Sequence, residues 1–246
     1  MTVFAKLTRT EIKLFLREPV GAFFSLFFPT ILVAILGNIK IFRDPSPELN
    51  GLRTIDVYVG IAVALTVAMT GLQVLPMVLA TYRERGVLRR VATTPVRPIT
   101  LLAAQMTATV LIAAVSSALC IAVGYLVFDV RLAGNFPGFV LAFLLCALGV
   151  FAIGLFIAAL APTGKAGNAI GTLLFFPSMF FAGLWTPREF MPDPVQRIGD
   201  FTPMGAGERA LNDAMNGNWP NWLSAAVLVG YLVVFGLGAA RFFRWN

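Results

Sequence analysis

The chain has 246 residues; 58% are hydrophobic, only 13% are charged, and the mean hydropathy is +0.83. Soluble domains average roughly 45–50% apolar and about 25% charged residues, so a soluble fold is excluded and an all-α polytopic membrane protein is expected. The absence of His excludes His-ligated metal or haem and any nucleophile that needs a His base. Cys120 and Cys146 lie inside apolar runs and are too few for a structural zinc site.

Residues 1–18 come first. On a wheel of 100° per residue, Lys6, Arg9, Lys13 and Arg17 fall within an arc of about 80°. Val3, Phe4, Leu7, Ile12, Leu14, Phe15 and Leu16 cover most of the rest. This pattern predicts a helix lying in the membrane interface, ended or turned by Pro19. Glu11 interrupts the apolar arc and is expected to reach water, or to pair with a basic residue of another loop or a partner. The run that follows is too long for a signal peptide and lacks a small-residue cleavage site.

A crossing helix needs about 20 mostly apolar residues. Six uncharged stretches qualify: Pro19–Ile39, Val57–Tyr82, Pro98–Phe128, Leu132–Thr163, Ala166–Pro187 and Trp219–Ala240. The whole chain, 1–246, reads as one transmembrane domain. Six spans put both termini on one side, and that side holds Lys6, Arg9, Lys13, Arg17, Arg83, Arg85, Arg89, Arg90, Arg97, Lys165, Arg241 and Arg244. The opposite side holds nine of the twelve acidic residues. Short basic loops stay in the cytoplasm, so both termini are expected there, in a bacterial plasma membrane. The net charge of +7 thus follows topology, and no nucleic-acid partner is expected.

No stretch contains a charged residue. Ionisable groups inside spans are functional candidates by default, so their absence weakens proton coupling and intramembrane catalysis. Sodium coupling through backbone carbonyls stays open. Energy is expected to enter from outside the membrane.

The second loop, 82–98, reads Tyr-Arg-Glu-Arg-Gly-Val-Leu-Arg-Arg-Val-Ala-Thr-Thr-Pro-Val-Arg-Pro. Val87, Leu88, Val91 and Ala92 occupy one arc; Arg83, Arg85, Arg89 and Arg90 occupy the other. This predicts a short amphipathic helix closed by Pro95, with Glu84 in its first turn, where the helix dipole favours an acid. Such a helix rests on anionic headgroups or docks a soluble partner through Arg83 and Glu84.

Span five carries Asn168, Thr172, Phe175, Phe176, Met179 and Phe180; span two carries Thr66, Thr70 and Gln73. Polar groups in spans usually bond to neighbouring helices. A minority lining a conduit, beside aromatic and Met side chains, suits a bulky amphiphile. Gly167-x-x-x-Gly171 allows a close helix approach. Trp185 and Trp245 read as interface anchors. Residues 188–218 are too polar to span and are broken by Pro192, Pro194 and Pro203.

The run Arg83-Glu84-Arg85-Gly86-Val87-Leu88-Arg89-Arg90, followed by Ala92-Thr93-Thr94-Pro95, resembles the second-loop motif of type-2 ATP-binding-cassette (ABC) exporter permeases. The resemblance covers the whole chain: an amphipathic N-terminal helix, six spans, and a small-residue turn with Pro before the last span (Phe181-Ala182-Gly183-Leu184-Trp185-Thr186-Pro187). It is closest to daunorubicin-exporter and multidrug-resistance permeases. The resemblance implies a dimer with a second permease copy or paralogue, docked on a separate ABC ATPase subunit. That subunit would bind ATP and Mg²⁺. This chain has no Gly-x-x-x-x-Gly-Lys-Ser/Thr phosphate loop, so no catalytic site and no cofactor are expected in it.

The resemblance assigns ATPase coupling to Arg83, Glu84, Arg85, Gly86, Leu88, Arg89, Arg90, Thr94 and Pro95. The family's usual Thr after Gly86 is Val87 here. It also implies a re-entrant helical pair in 188–218. The expected activity is export of a drug-like or lipid-like amphiphile, with antibiotic resistance as its consequence. An ion-coupled secondary transporter, a polysaccharide permease and a non-transporting scaffold are the alternatives.

Overall fold

A computed structural model describes residues 2–49, 51–92 and 98–242. Among them the regular structure is helical, apart from one isolated bridge between Pro45 and Arg53. Helix α1 (Val3–Leu16) leads through Glu18 into α2 (Pro19–Leu26) and α3 (Phe28–Gly37). A continuous helical rod, Thr54–Glu84, comprises α4 (Thr54–Ala68), a π-helical turn at Met69–Val74 and α5 (Leu75–Glu84). Then come α6 (Val87–Ala92), α7 (Pro98–Phe128), α8 (Phe136–Leu160) and α9 (Gly164–Phe181). After α9 lie α10 (Asp193–Asp200), α11 (Pro203–Met215) and α12 (Trp222–Phe242).

Four of these helices are long and apolar enough to cross a membrane: the Thr54–Glu84 rod, α7, α8 and α12. The pair α2–α3, bent by 42°, makes a fifth if it counts as one span. The expected sixth, α9, opens on Gly164-Lys165-Ala166-Gly167-Asn168 and is not apolar enough to be counted with them. The chain is a multi-pass helical membrane protein.

The α2–α3 bend has a backbone cause. Pro29 has no N–H to donate to the Ser25 carbonyl four residues earlier. The buried Ser116 hydroxyl of α7 donates instead to the Ser25 carbonyl (2.9 Å) and the Leu26 carbonyl (3.1 Å). A backbone polar group left unpaired in lipid costs several kcal/mol, so Ser116 supports the broken span.

The Thr54–Glu84 rod is the axis of the molecule. Of its most apolar window 78% is buried, against 28% in α7 and 17% in α12. Pro76 cannot donate to the carbonyl of either Leu72 or Gly71, and just before it the ladder slips so that Leu75 N–H reaches the Thr70 carbonyl. Neighbouring helices press glycines onto the two carbonyls left without a Pro76 donor. A Cβ on Gly154 of α8 would overlap the Gly71 oxygen, and one on Gly171 of α9 would overlap the Leu72 oxygen. Gly164 and Gly167 abut Thr81 and Pro76 in the same way. The Gly167-x-x-x-Gly171 face, whose spacing allows a close helix approach, makes that approach inside the chain, against span two.

Around this axis lies the main core, with Leu65, Leu72, Leu75, Leu79, Phe151, Met179, Met204 and Leu211 buried. A second cluster, built on Val33, Ile55, Val59, Cys120 and Phe128, joins α3, α4 and α7. Phe23, Phe24, Leu126, Leu173, Val234 and Leu237 face outward, the apolar exterior that a lipid-facing bundle needs.

Gly171→Ala and Gly154→Ala are expected to destabilise the detergent-solubilised protein by about 1–3 kcal/mol through overpacking. Gly60→Ala, whose new methyl meets nothing within 4 Å, is the control and leaves the melting temperature unchanged or raised. Equal melting temperatures for all three variants would remove the glycine contacts from the account.

Candidate functional site

The second loop is divided differently from the expected single helix over 82–98. Tyr82, Arg83 and Glu84 form the last turn of α5, and the chain breaks at Arg85 and at Gly86, whose φ is +67°. That left-handed conformation suits Gly and ends helices routinely. Helix α6 starts at Val87. Its Leu88 is buried against Leu101 of α7 and Ala159 of α8, with Leu7, Tyr82 and Val91 alongside. The apolar face of the loop helix is therefore spent inside the protein. Arg85 and Arg90 are exposed. The Arg89 side chain, Thr94, Pro95 and Arg97 lie outside the described residues.

The three residues that end α5 reach three different elements. Tyr82 donates its hydroxyl to Glu11 Oε2 of α1 at 2.7 Å. Arg83 donates Nη1 to the Ala159 carbonyl at the end of α8, 2.9 Å away. Glu84 Oε2 accepts the Gly164 N–H, the first of α9, at 3.0 Å. Last carbonyls and first amides of helices lack partners within the helix, and a cation and an anion are the favoured complements at those ends. Glu84 therefore caps the start of α9 rather than sitting in the first turn of the loop helix. Arg83 and Glu84, expected to face a partner, are engaged within the chain.

Glu11 is also relocated. It is only 6% exposed, and it accepts the Tyr82 hydroxyl; among the described residues it forms no salt bridge. Burial raises its carboxyl above the ordinary value and the Tyr82 hydrogen bond pulls it back. Lys6, Arg9, Lys13 and Arg17 are all exposed, as are Val3, Phe4, Leu14 and Leu16. Helix α1 thus presents a cationic and an apolar face outward while Thr8 and Glu11 turn inward.

The proposed pathway residues separate into two groups. Thr66 and Thr70 are buried and bond to carbonyls of their own helix, Ala62 (3.0 Å) and Thr66 (2.8 Å). Thr66 Oγ1 also lies 3.4 Å from Ser116 Oγ. Phe175 and Met179 are core residues, and Thr172 is half-buried. Phe176, Phe180 and Asn168 lie on the exposed face of α9. Gln73 and Asn168 come together on a cavity of about 590 Å³ that also touches Phe24, Met69 and Met77.

The polar segment 188–218 folds as a short 3₁₀ turn followed by α10 and α11. Asp200 binds both Arg188 (2.7 Å) and Arg209 (2.8 Å). Helix α11 turns Met204, Ala206, Ala210, Leu211 and Ala214 into the main core. Its Glu208 is 3% exposed, and its Oε2 has no hydrogen-bond partner among the described residues. Burial pushes its pKa up to about 8. Glu189 and Asp213 add to the rise, against Arg188 and Arg209. Sequence reasoning did not single out Glu208. Its place amid Ala206, Ala210, Leu211 and Ala214 at helical spacing was the available signal that the helix sinks this side into the bundle.

Residues 2–216 match the family model of the ABC-2 type transporter. The chain belongs to the ABC-2 type transporter family. It is also 25% identical over 245 residues to a protein of Bacillus subtilis (strain 168) named "Putative transport permease YvfS", covering 96% of this chain and 95% of that one. As an ABC-2 permease, the protein is the membrane subunit of an ABC transporter, and membership implies an ABC ATPase partner and a dimer.

The raised pKa of Glu208 sets a pH dependence. From the ordinary 4.5 up to about 8, the folded chain keeps a proton that the unfolded chain releases, so stability falls as pH rises through this window and levels off above it. In Glu208→Gln that component of the fall is expected to vanish from melting curves taken between pH 5 and 9. Parallel pH profiles for the variant and the parent would show that Glu208 is not the group responsible.

Proposed function

We propose that this permease forms the membrane half of an ATP-driven exporter that moves an amphiphilic, drug-like or lipid-like molecule out of the bacterial cytoplasm. Its termini lie in the cytoplasm. ATP and Mg²⁺ are held by the separate ATPase subunit, and this chain contributes no catalytic site. Helix α1 lies in the cytoplasmic interface, and the α10–α11 pair enters from the outer side. Export of toxic amphiphiles would make the complex a drug- and antibiotic-resistance determinant.

One observation carries the reading: Tyr82, Arg83 and Glu84, directly before the segment that exposes Arg85 and Arg90, hold α1, α8 and α9 together. An ATPase that moves α6 therefore pulls on three elements through a single helix end. Arg85, Arg89, Arg90, Thr94 and Pro95 are the proposed docking side. Arg83, Glu84, Gly86 and Leu88 tie that side to the bundle. The cavity shared by Gln73 and Asn168, walled by Phe24 and two methionines, is the proposed stretch of the substrate path.

An ion-coupled reading is favoured by Glu208, a buried carboxyl able to titrate near neutral pH. The two readings part in proteoliposomes holding permease and ATPase. Export driven by ATP and indifferent to ionophores supports the first; flux that follows an ion gradient without ATP supports the second.

Glu84→Ala and Arg85→Glu are expected to insert and assemble normally while lowering ATP-driven export by about fivefold or more, the scale of a lost coupling between sites. Basal ATP hydrolysis should persist. Export at the parental rate in both variants would defeat the coupling role of this loop.

A further inference from the structure

Helix α11 is clipped to the bundle near its two ends. At its entry the Phe201 carbonyl accepts the Tyr231 hydroxyl from the middle of α12 (3.1 Å). At its exit the Met215 and Ala214 carbonyls accept the N–H groups of Gly134 and Asn135 (3.1 Å each), just before α8. Asp213 Oδ2 accepts the Asn221 N–H (3.1 Å), just before α12. Between these clips α11 rests on α8 by close packing, where a Cβ on Gly207 would overlap Cys146 Sγ. Cys146 is fully buried there. The next residue, Glu208, is the one whose Oε2 is buried with no hydrogen-bond partner among the described residues.

The groups around Glu208 do not neutralise it. Arg188, from the turn before α10, and Arg209 of α11 are both bound by Asp200. Glu189 and Asp213 oppose a further negative charge. Asp193 and Arg197 of α10 are exposed. From α8 the facing titratable group is the Cys146 thiol. On α4, Asp56 is held by Arg53 and Tyr58 by the Leu184 carbonyl. The only charges of α9 and α12 are Lys165 in a first turn and Arg241 in a last one. A buried carboxylate needs partners, and the neutral acid is far less costly to bury. The seated packing therefore selects the protonated form.

We propose that Glu208 makes the α10–α11 pair an acid-closed gate at the outer end of the path: protonated, it lets α11 seat against α8, and ionised, it drives α11 off Cys146. The inference rests on the reading that puts this pair on the outer side of an exporter. The proton leaves to that side and returns from it, so the gate meters export without drawing on a proton gradient. That separates it from an ion-coupled carrier. The seated pair holds a proton that the lifted pair gives up. Lifting therefore becomes about tenfold easier per pH unit above the ordinary carboxyl range, and levels off above the raised value of the buried group.

Cys146 is a built-in reporter of that movement. Cys120, the other cysteine, lies in the second cluster with α3, α4 and α7. The test uses the permease–ATPase complex in nanodiscs and follows maleimide labelling between pH 6 and 8. Cys120→Ser leaves Cys146 as the single thiol, and Cys146→Ser leaves Cys120. Labelling of any thiol rises about tenfold per unit as thiolate forms, and Cys120 is expected to show that slope alone. Cys146 is expected to rise by about a hundredfold per unit, the product of thiolate formation and lifting. Glu208→Gln, neutral and of the same shape, is expected to return Cys146 to the tenfold slope. Equal slopes for the two thiols overturn the gate whether or not Glu208→Gln folds. The steeper slope appearing at both thiols marks global unfolding and overturns it too, as does a steep Cys146 slope that survives in Glu208→Gln. In proteoliposomes with the ATPase outside, ATP-driven export is expected to rise with lumenal pH in the parent and to stay flat in Glu208→Gln. Export in the parent that ignores lumenal pH rejects the gate and leaves the exporter reading standing. A steep Cys146 slope without any ATP-driven export upholds the proton-controlled movement and rejects the exporter reading.

Discussion

The architecture depends on one missing hydrogen. Pro76 stands in the middle of the most buried helix and cannot donate to the carbonyls behind it. In water that defect would be solvated; in a bilayer it has to be met by protein. The chain answers with a π-helical turn and with glycine surfaces from two other helices, Gly154 on α8 and Gly171 on α9. Because those glycines have no side chains, the backbones meet directly, and the weak Cα–H···O contacts typical of such crossings become available. Three helices are thereby locked in register around the Thr54–Glu84 rod. The Pro29 break follows the same logic, with the Ser116 hydroxyl as the rescuer.

From that locked centre the rod runs to the basic second loop. Its last turn is tied by side chains rather than by shape. A phenol, a guanidinium and a carboxylate each take a different neighbour, two of them at helix ends whose backbone groups need such partners. The small apolar cluster of Leu88, Leu101 and Ala159 then seats α6 beneath it.

Much of this was legible in the sequence. Composition separated membrane from soluble protein, and the motif from Arg83 to Pro95 pointed to the family. What was not legible is instructive. Glu84 was placed in the wrong helix because the wheel over 82–98 assumed continuity, whereas Gly86 stops α5 with a left-handed residue. Glu11 looked like a defect in an amphipathic arc because its partner, Tyr82, is 71 positions away. The apolar run of span one does not show the bend that accompanies Pro29, nor does that of span five show the polar opening of α9 as a weak point of its hydropathy. The candidate conduit residues mixed core and exposed positions because both faces of α9 carry Phe. Only packing tells Phe175 from Phe176. Each failure concerns a long-range contact or a backbone break, the two things a local period cannot encode.

The triad at the end of α5 has a mechanical consequence. Consecutive residues on a helix project about 100° apart, so Tyr82, Arg83 and Glu84 point to three sides of one axis. A slide along that axis and a twist about it would each shear all three contacts, the twist in a different direction at each. The end of span two is therefore pinned on three sides. Whatever displaces it strains α1, α8 and α9 together, and none of the three can shift alone without loosening its own tie to the rod.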